Sequence, residues 1–294
     1  MSFSGKVKDE LAEHIGGARH CQIAELAAYV QFGAKIVADN GKSALQFDIE
    51  NEAVLRKCFT LLKKTFNIVS SVDLEDEAKV WELIEGLKLV EGGVLRDLNG
   101  PVSGMLLKNS CCKRAYLRGV YLLAGSMSDP SKGYHLEIVC ANELQANQIQ
   151  DVLHSFELES KIILRKKYYV VYIKESTAIV DFLNICEAHV ALMEFENLRI
   201  LKEMRNTINR RVNCEAANIT KTVNAAAKQI EEIEKIRDIY GFEKLPLNLR
   251  RMAEIRLENP DATLSELGEL LDPPVGKSGV NHRLRRLSEI AQSI

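Results

Sequence analysis

RAYLRGVYLLAGSM, residues 114–127, has the apolar and small-residue content of a helix that packs closely on another helix. A second such stretch, QIAELAAYVQFGA, lies at residues 22–34. Similar punctuation follows each. Asn51-Glu52 and Asn142-Glu143 each open a downstream helix, with Asn in the capping position where its side-chain oxygen accepts a backbone N–H. The two pairs are offset by 91 residues, and the same offset lays Gly33 over Ala124. A fixed internal offset is the mark of a repeated unit. In the first half the pattern predicts a turn at Asp39-Asn40-Gly41, a strand at about 43–49 and a helix from Glu52 to about Phe66. In the second it predicts a turn at Asp129-Pro130, a strand at about 134–140 and a helix from Glu143 to about Phe156. Strands at about 67–74 and 161–173, the latter with a turn at Lys166-Lys167, and closing helices at about 76–90 and 175–187 complete the scheme. Each half thus reads as α-β-β-α-β-β-α.

Two Ala- and Gly-rich helices packed together make a pseudo-twofold interface, with an antiparallel sheet on either side. This arrangement resembles the LAGLIDADG homing-endonuclease fold. Residues Tyr116-Leu117-Arg118-Gly119-Val120-Tyr121-Leu122-Leu123-Ala124-Gly125-Ser126 lie over the F-L-x-G-x-x-D-x-D-G-S run typical of that family. In its active members an acid near the end of each helix holds the divalent metal that activates water. Here those positions carry Ala124 and Gly33, and the other common acid position carries Leu122 and Gln31. Asp129 and Asp39 lie beyond the helices in turns and read as turn-formers. The expectation is an endonuclease-like fold with no catalytic residues, no metal and no cofactor. A nuclease using Asp39 and Asp129 as displaced acids is the competing enzyme reading.

The C-terminal residues carry an independent signal. Pro246 starts a helix that stops at Asn259-Pro260. Thr263-Leu264-Ser265-Glu266 is a capping box opening a short helix, and Asp272-Pro273-Pro274-Val275-Gly276 is a turn that no helix crosses. Ser278 then caps a final helix through about Ala291. A short helix, a turn and a basic helix predict a helix-turn-helix. At 100° per residue, Val280, Leu284 and Leu287 share one face of the last helix, facing Leu264, Leu267 and Leu271. Asn281, His282, Arg285 and Arg286 lie toward the other side, with Lys277 and Ser278 at an N-terminus that favours phosphate. Arg pairs bidentately with guanine and Asn with adenine, so these six residues are the candidate DNA-binding set. Arg250, Arg251 and Arg256 of the preceding helix are candidates for backbone contacts.

Between the two lies a mostly helical stretch, 188–240, without Pro or Gly. Asn206, Asn209, Asn213 and Asn218 weaken it, because Asn competes for backbone hydrogen bonds, and predict a break near Asn209–Asn213. Arg210 and Arg211 beside that break are further candidates for phosphate and base contacts. The chain has 294 residues, 46% hydrophobic and 27% charged, with net charge -2. Residues 1–195 carry 22 bases against 26 acids, and residues 196–294 carry 17 against 15. The acidic first part argues against a broad basic DNA cleft there, and the basic clusters of the second are a plausible polyanion footprint. No uncharged apolar run reaches the length of a membrane span, and the charged N-terminus does not read as a signal peptide, so a cytoplasmic protein is expected. Seven cysteines at scattered positions without C-x-x-C predict neither a disulfide framework nor a zinc site, and Cys111-Cys112 reads as packing.

Taken in this order, the segments resemble the WhiA family of bacterial regulators. Carrying the likeness are Cys111 to Gly119, Gly125-Ser126, Asp129-Pro130, Tyr134-His135-Leu136-Glu137, Asn209-Arg210-x-x-Asn213-Cys214-Glu215-x-x-Asn218 and Leu264-x-x-Leu267-Gly268. The first apolar helix departs from the family form at Gln31-Phe32-Gly33. The resemblance implies a DNA-binding transcriptional regulator without nuclease activity. In low-GC Gram-positive bacteria the family is tied to cell division and chromosome segregation, and in filamentous actinobacteria to sporulation. The Lys-rich composition favours the first group. The expected organisation is an α+β pseudo-twofold LAGLIDADG-like repeat over 1–190, a helical Asn/Arg-rich linker over 191–244 and an all-α helix-turn-helix over 245–294. Expected partners are double-stranded DNA, at the nucleoid, and RNA polymerase or another regulator. The alternative is a protein-interaction module that contacts RNA polymerase or a division factor, with DNA secondary.

Overall fold

The computed structural model describes residues 2–39 and 42–294, in two units, Met1–Glu203 and Met204–Ile294. In the first unit, α1 (Phe3–Glu13) precedes α2 (Arg19–Gly33). The antiparallel pair β1 (Ala34–Asp39) and β2 (Lys42–Phe47) follows, in register Ala34 with Phe47 and Ile36 with Leu45. Next come α3 (Glu52–Phe66), α4 (Glu77–Gly86) and a two-residue hairpin, β3 (Val90–Glu91) with β4 (Val94–Leu95). The second half runs α5 (Ser110–Ala124), β5 (Gly125–Met127), β6 (Leu136–Cys140), α6 (Glu143–His154), β7 (Lys161–Arg165), β8 (Tyr168–Ile173) and α7 (Ser176–Cys186). Its four strands form an antiparallel sheet in the order β5-β6-β8-β7.

Both Asn caps form. Asn51 Oδ1 accepts from the N–H of Ala53 at 2.9 Å and of Val54 at 3.2 Å, and Asn142 Oδ1 accepts from Gln145 N–H at 2.9 Å. The second half follows α-β-β-α-β-β-α. In the first half no strand forms over 67–74. Residues Ser71–Glu75 are a 3-10 turn instead, because Asp73 Oδ2 takes the N–H groups of Val69 at 2.7 Å and Ser70 at 3.0 Å that a ladder would need. The Asn40-Gly41 part of the predicted turn lies outside the described residues.

The interface between the halves is α2 against α5. A Cβ on Gly119 would come 2.8 Å from the Glu25 carbonyl oxygen and 2.9 Å from Ala28 Cβ, so the backbones approach to a distance only glycine allows. Beside it sits a buried ionic cluster. Glu25 Oε1 is 2.5 Å from Lys57 Nζ and Glu25 Oε2 is 3.3 Å from Arg118 Nε, and all three side chains are 3% exposed or less. Arg118 also donates to Glu187, and Lys57 donates to the Leu11 carbonyl at 2.7 Å. Burial holds the Lys57 ammonium below its ordinary pKa, against the pull of Glu25. At Glu187 burial works to raise the pKa, but the hydrogen bond and charge of Arg118 outweigh it and leave the carboxyl below its ordinary value.

The helix α8 (His189–Lys235) is unbroken, so the predicted break near Asn209–Asn213 does not occur. Asn costs only a few tenths of a kcal/mol per residue relative to better helix formers, about 0.7 at most. Helix formation is cooperative, so a run already nucleated on both sides spans such positions. In the second unit the last turns of α8 are joined by α9 (Leu247–Glu258), α10 (Leu264–Glu269) and α11 (Lys277–Ser293) around a core including Ile233, Ile236, Leu249, Met252, Leu267, Leu271 and Leu284. Among the described residues no helix is long and apolar enough to cross a membrane.

Candidate nucleic-acid interface

Pro246 is the N-cap of α9 and Asn259 ends it. The Thr263 capping box forms: Glu266 N–H donates to Thr263 Oγ1 at 3.4 Å, and Thr263 N–H donates to Glu266 Oε2 at 2.7 Å. That backbone donor holds the Glu266 carboxyl below its ordinary pKa. The Asp272–Gly276 turn folds back on α10, where Val275 N–H donates to the Gly268 carbonyl at 2.9 Å. A Cβ on Gly268 would lie 2.0 Å from the Val275 carbonyl oxygen. Gly268→Ala is therefore expected to destabilise the second unit by about 1–3 kcal/mol through overpacking, read as a lower urea midpoint. An unchanged midpoint would refute the close turn.

On α11, Val280, Leu284, Leu287 and Ala291 are buried, and Leu267 and Leu271 belong to the same core. Asn281, His282, Arg285 and Arg286 are exposed, as are Lys277 and Ser278 in the first turn. The cap differs from the expectation. Gly276, not Ser278, is the N-cap, and its carbonyl accepts from Gly279 N–H at 2.8 Å and Val280 N–H at 3.1 Å. The helix is thus already closed ahead of Ser278, and no side chain caps its first N–H groups. Such groups suit a phosphate oxygen. Arg285 Nε is 3.7 Å from Glu289 and Arg286 Nη1 is 2.9 Å from it, with the arginine side chains 81% and 60% exposed. Exposed pairs of this kind are worth about 0–1 kcal/mol, so both guanidiniums are cheaply released to a stronger anion.

Arg210 and Arg211 stand on α8, in a stretch from 203 to 225 that is exposed all round. Arg211 pairs with Glu215 at 3.0 Å, and among the described residues no hydrogen bond or ion pair joins either arginine to α11. The arginines of α9 divide. Arg250 pairs with Glu254 at 2.8 Å. Arg251 donates to the Asp272 carbonyl at 2.8 Å, which ties α9 to the turn. Arg256 is 2% exposed and donates to the Ala262 carbonyl at 2.6 Å, so it braces the loop before α10 and is not available to a phosphate. Burial lowers its pKa.

At the C-terminal ends of α2 and α5 the positions of the family's acids carry Gln31, Gly33, Leu122 and Ala124. Gly33 is buried against Ile49 and Leu123, and Leu122 is buried. Gln31, 2% exposed, donates to the Gly100 carbonyl at 2.8 Å and accepts from Tyr116 Oη–H at 2.7 Å. Gln148 joins this network, donating to the Val102 carbonyl at 2.7 Å. Asp129 accepts from Ser131 N–H at 2.9 Å and Ser131 Oγ–H at 2.6 Å. It is a turn-former, and the Ser131 hydroxyl holds its pKa down. The Asp39 side chain lies outside the described residues.

Residues 19–80 match the family model for the WhiA N-terminal LAGLIDADG-like domain, residues 113–205 that for the WhiA LAGLIDADG-like domain, and residues 208–291 that for the WhiA C-terminal HTH domain. A Lachnoclostridium phytofermentans protein named "Probable cell division protein WhiA" is 49% identical over 311 residues, covering 100% of this chain and 99% of its own. The chain belongs to the WhiA family. A WhiA relative of the same name from Alkaliphilus oremlandii is 46% identical, covering 100% of this chain and 98% of its own. The crystal structure of full-length WhiA from Thermatoga maritima superposes with a TM-score of 0.56 at 26% identity, covering 100% and 99% of the two chains. The WhiA assignment gives the fold class as an α+β LAGLIDADG-like region followed by an all-α HTH region, and α9, α10 and α11 lie within the residues that the HTH domain model matches.

Proposed function

We propose that this chain is a DNA-binding transcriptional regulator without nuclease activity, acting at the nucleoid in bacterial cell division and chromosome segregation, with sporulation the corresponding process in related bacteria. Residues 1–190 form its LAGLIDADG-like domain, 191–244 its linker and 245–294 its DNA-binding domain. The observation that carries the reading is the two-sided character of α11, whose apolar back is buried while Asn281, His282, Arg285 and Arg286 face solvent. In this reading Lys277 and Ser278 anchor a phosphate at the helix start, and Arg210 and Arg211 add backbone contacts. The relatives' name, "Probable cell division protein WhiA", supports a part in cell division, and the absence of a carboxylate at positions 31, 33, 122 and 124 supports the lack of hydrolysis.

Duplex retardation against salt tests it. Binding is expected to weaken with a log-log slope of about 0.9 per phosphate contact, and incubation with magnesium or manganese is expected to leave a supercoiled plasmid intact. Nicking that disappears in Asp129→Ala would overturn the non-enzymatic part. A second reading rests on the exposed apolar residues Met204, Ile208, Val212, Ile219 and Val223 of α8, which suit a protein partner such as RNA polymerase. A chain that retards no duplex at low salt would favour it.

A further inference from the structure

His20 and Cys21 are the second and third residues of α2, and Cys111 and Cys112 are the second and third residues of α5. The offset of 91 that aligns the two Asn caps also lays His20 on Cys111 and Cys21 on Cys112. Because α2 and α5 pack on each other, the repeat brings the four side chains together. Their ligand atoms all lie within 4.8 Å of one another. His20 Nδ1 is 3.2 Å from Cys112 Sγ and 3.4 Å from Cys21 Sγ. Cys112 is buried, Cys21 is half-buried, and Cys111 and His20 are exposed. A cysteine kept as a small hydrophobe belongs inside; buried Cys112 fits that reading, whereas an exposed Cys111 turned toward two other thiols and an imidazole does not.

We propose that His20, Cys21, Cys111 and Cys112 hold one zinc ion in a closed, tetrahedral, structural site. Three thiolates and an imidazole are a borderline-soft donor set that favours zinc over magnesium or calcium. Bond lengths of about 2.3 Å to sulfur and 2.0–2.1 Å to nitrogen set neighbouring ligand atoms about 3.5–3.8 Å apart in a tetrahedron. The side chains therefore need to close by about an ångström at most. Four protein ligands leave no position for water, so the ion braces the fold and does no hydrolysis. On binding, the three thiols release their protons to solvent, and the site keeps one net negative charge. The first turns of two helices lie at it, and their partial positive charge favours that anion. Each repeat gives two ligands, so the ion would tie the halves together at the end of the helix pair opposite Gly33 and Ala124.

The test uses the full chain, purified without chelator, with metal content measured by elemental analysis. About one equivalent of zinc per chain is expected, and cobalt exchanged into the site should give the intense visible absorption of tetrahedral thiolate coordination. Cys21→Ser with Cys111→Ser should cut bound zinc at least about tenfold, whereas Cys214→Ser, an exposed cysteine outside the cluster, should retain it. Circular dichroism reports whether the double variant is folded. Zinc retained by the folded double variant, weak octahedral cobalt absorption in the unaltered chain, or a disulfide between Cys21 and either Cys111 or Cys112 in the metal-free chain would each overturn the proposal.

Discussion

Arg285→Ala combined with Arg286→Ala is expected to abolish specific retardation of a duplex enriched by binding to the unaltered chain. A bidentate arginine–base pair is worth about 1–3 kcal/mol of discrimination. Loss of both then weakens binding on the order of a hundredfold or more, since each 1.4 kcal/mol is about tenfold. Neither side chain has a structural role that would confuse the result. Both are exposed, and among the described residues each pairs with Glu289 at the surface. The unfolding midpoint of the double variant should match that of the unaltered chain. A double variant that binds its duplex unchanged would show that another surface reads the DNA.

The largest stability effect is expected at Glu25. Its carboxylate lies between the buried Lys57 ammonium and the buried Arg118 guanidinium. Glu25→Leu leaves two cations facing each other out of water, which costs about 3–5 kcal/mol. At about 2–4 °C per kcal/mol for a unit of this size, Tm should fall on the order of 10 °C. Adding Lys57→Met removes the stranded ammonium and leaves Arg118 with Glu187, so the double variant should recover much of the loss. A single variant within about 2 °C of the unaltered chain would mean that water or protonation relieves the cluster.

The two-sided character of α11 was legible because a buried helix back announces itself by period, and what remains is the exposed front. The capping box at Thr263 and the Asn caps at 51 and 142 were legible because each is a local device set by a few neighbouring residues. Longer-range competition was not. Asn209 and Asn213 read as a break, yet the flanking helix carries through them. Arg256 looks like any basic residue in sequence, and only the fold shows its guanidinium spent on Ala262. Asp73 redirected the segment over 67–74 through hydrogen bonds whose partners become evident only once the backbone turns. The His20, Cys21, Cys111 and Cys112 cluster was missed for a different reason. Paired thiols usually announce a metal site as C-x-x-C, whereas these four side chains come as two adjacent pairs one repeat apart. The signal was present in the same 91-residue offset that aligned the caps.

The ion cluster across the helix pair also bears on how the polypeptide is born. Glu25 and Arg118 are separated by 93 residues, and the guanidinium cannot reach its carboxylate until the later segment has been synthesised. At about 5–20 residues per second, the newly made first repeat waits about 5–20 s for the partner that completes its interior. During that interval it is a half-built duplicate with an open flank, and its timely closure depends on the pace of translation as much as on the stability of the finished chain.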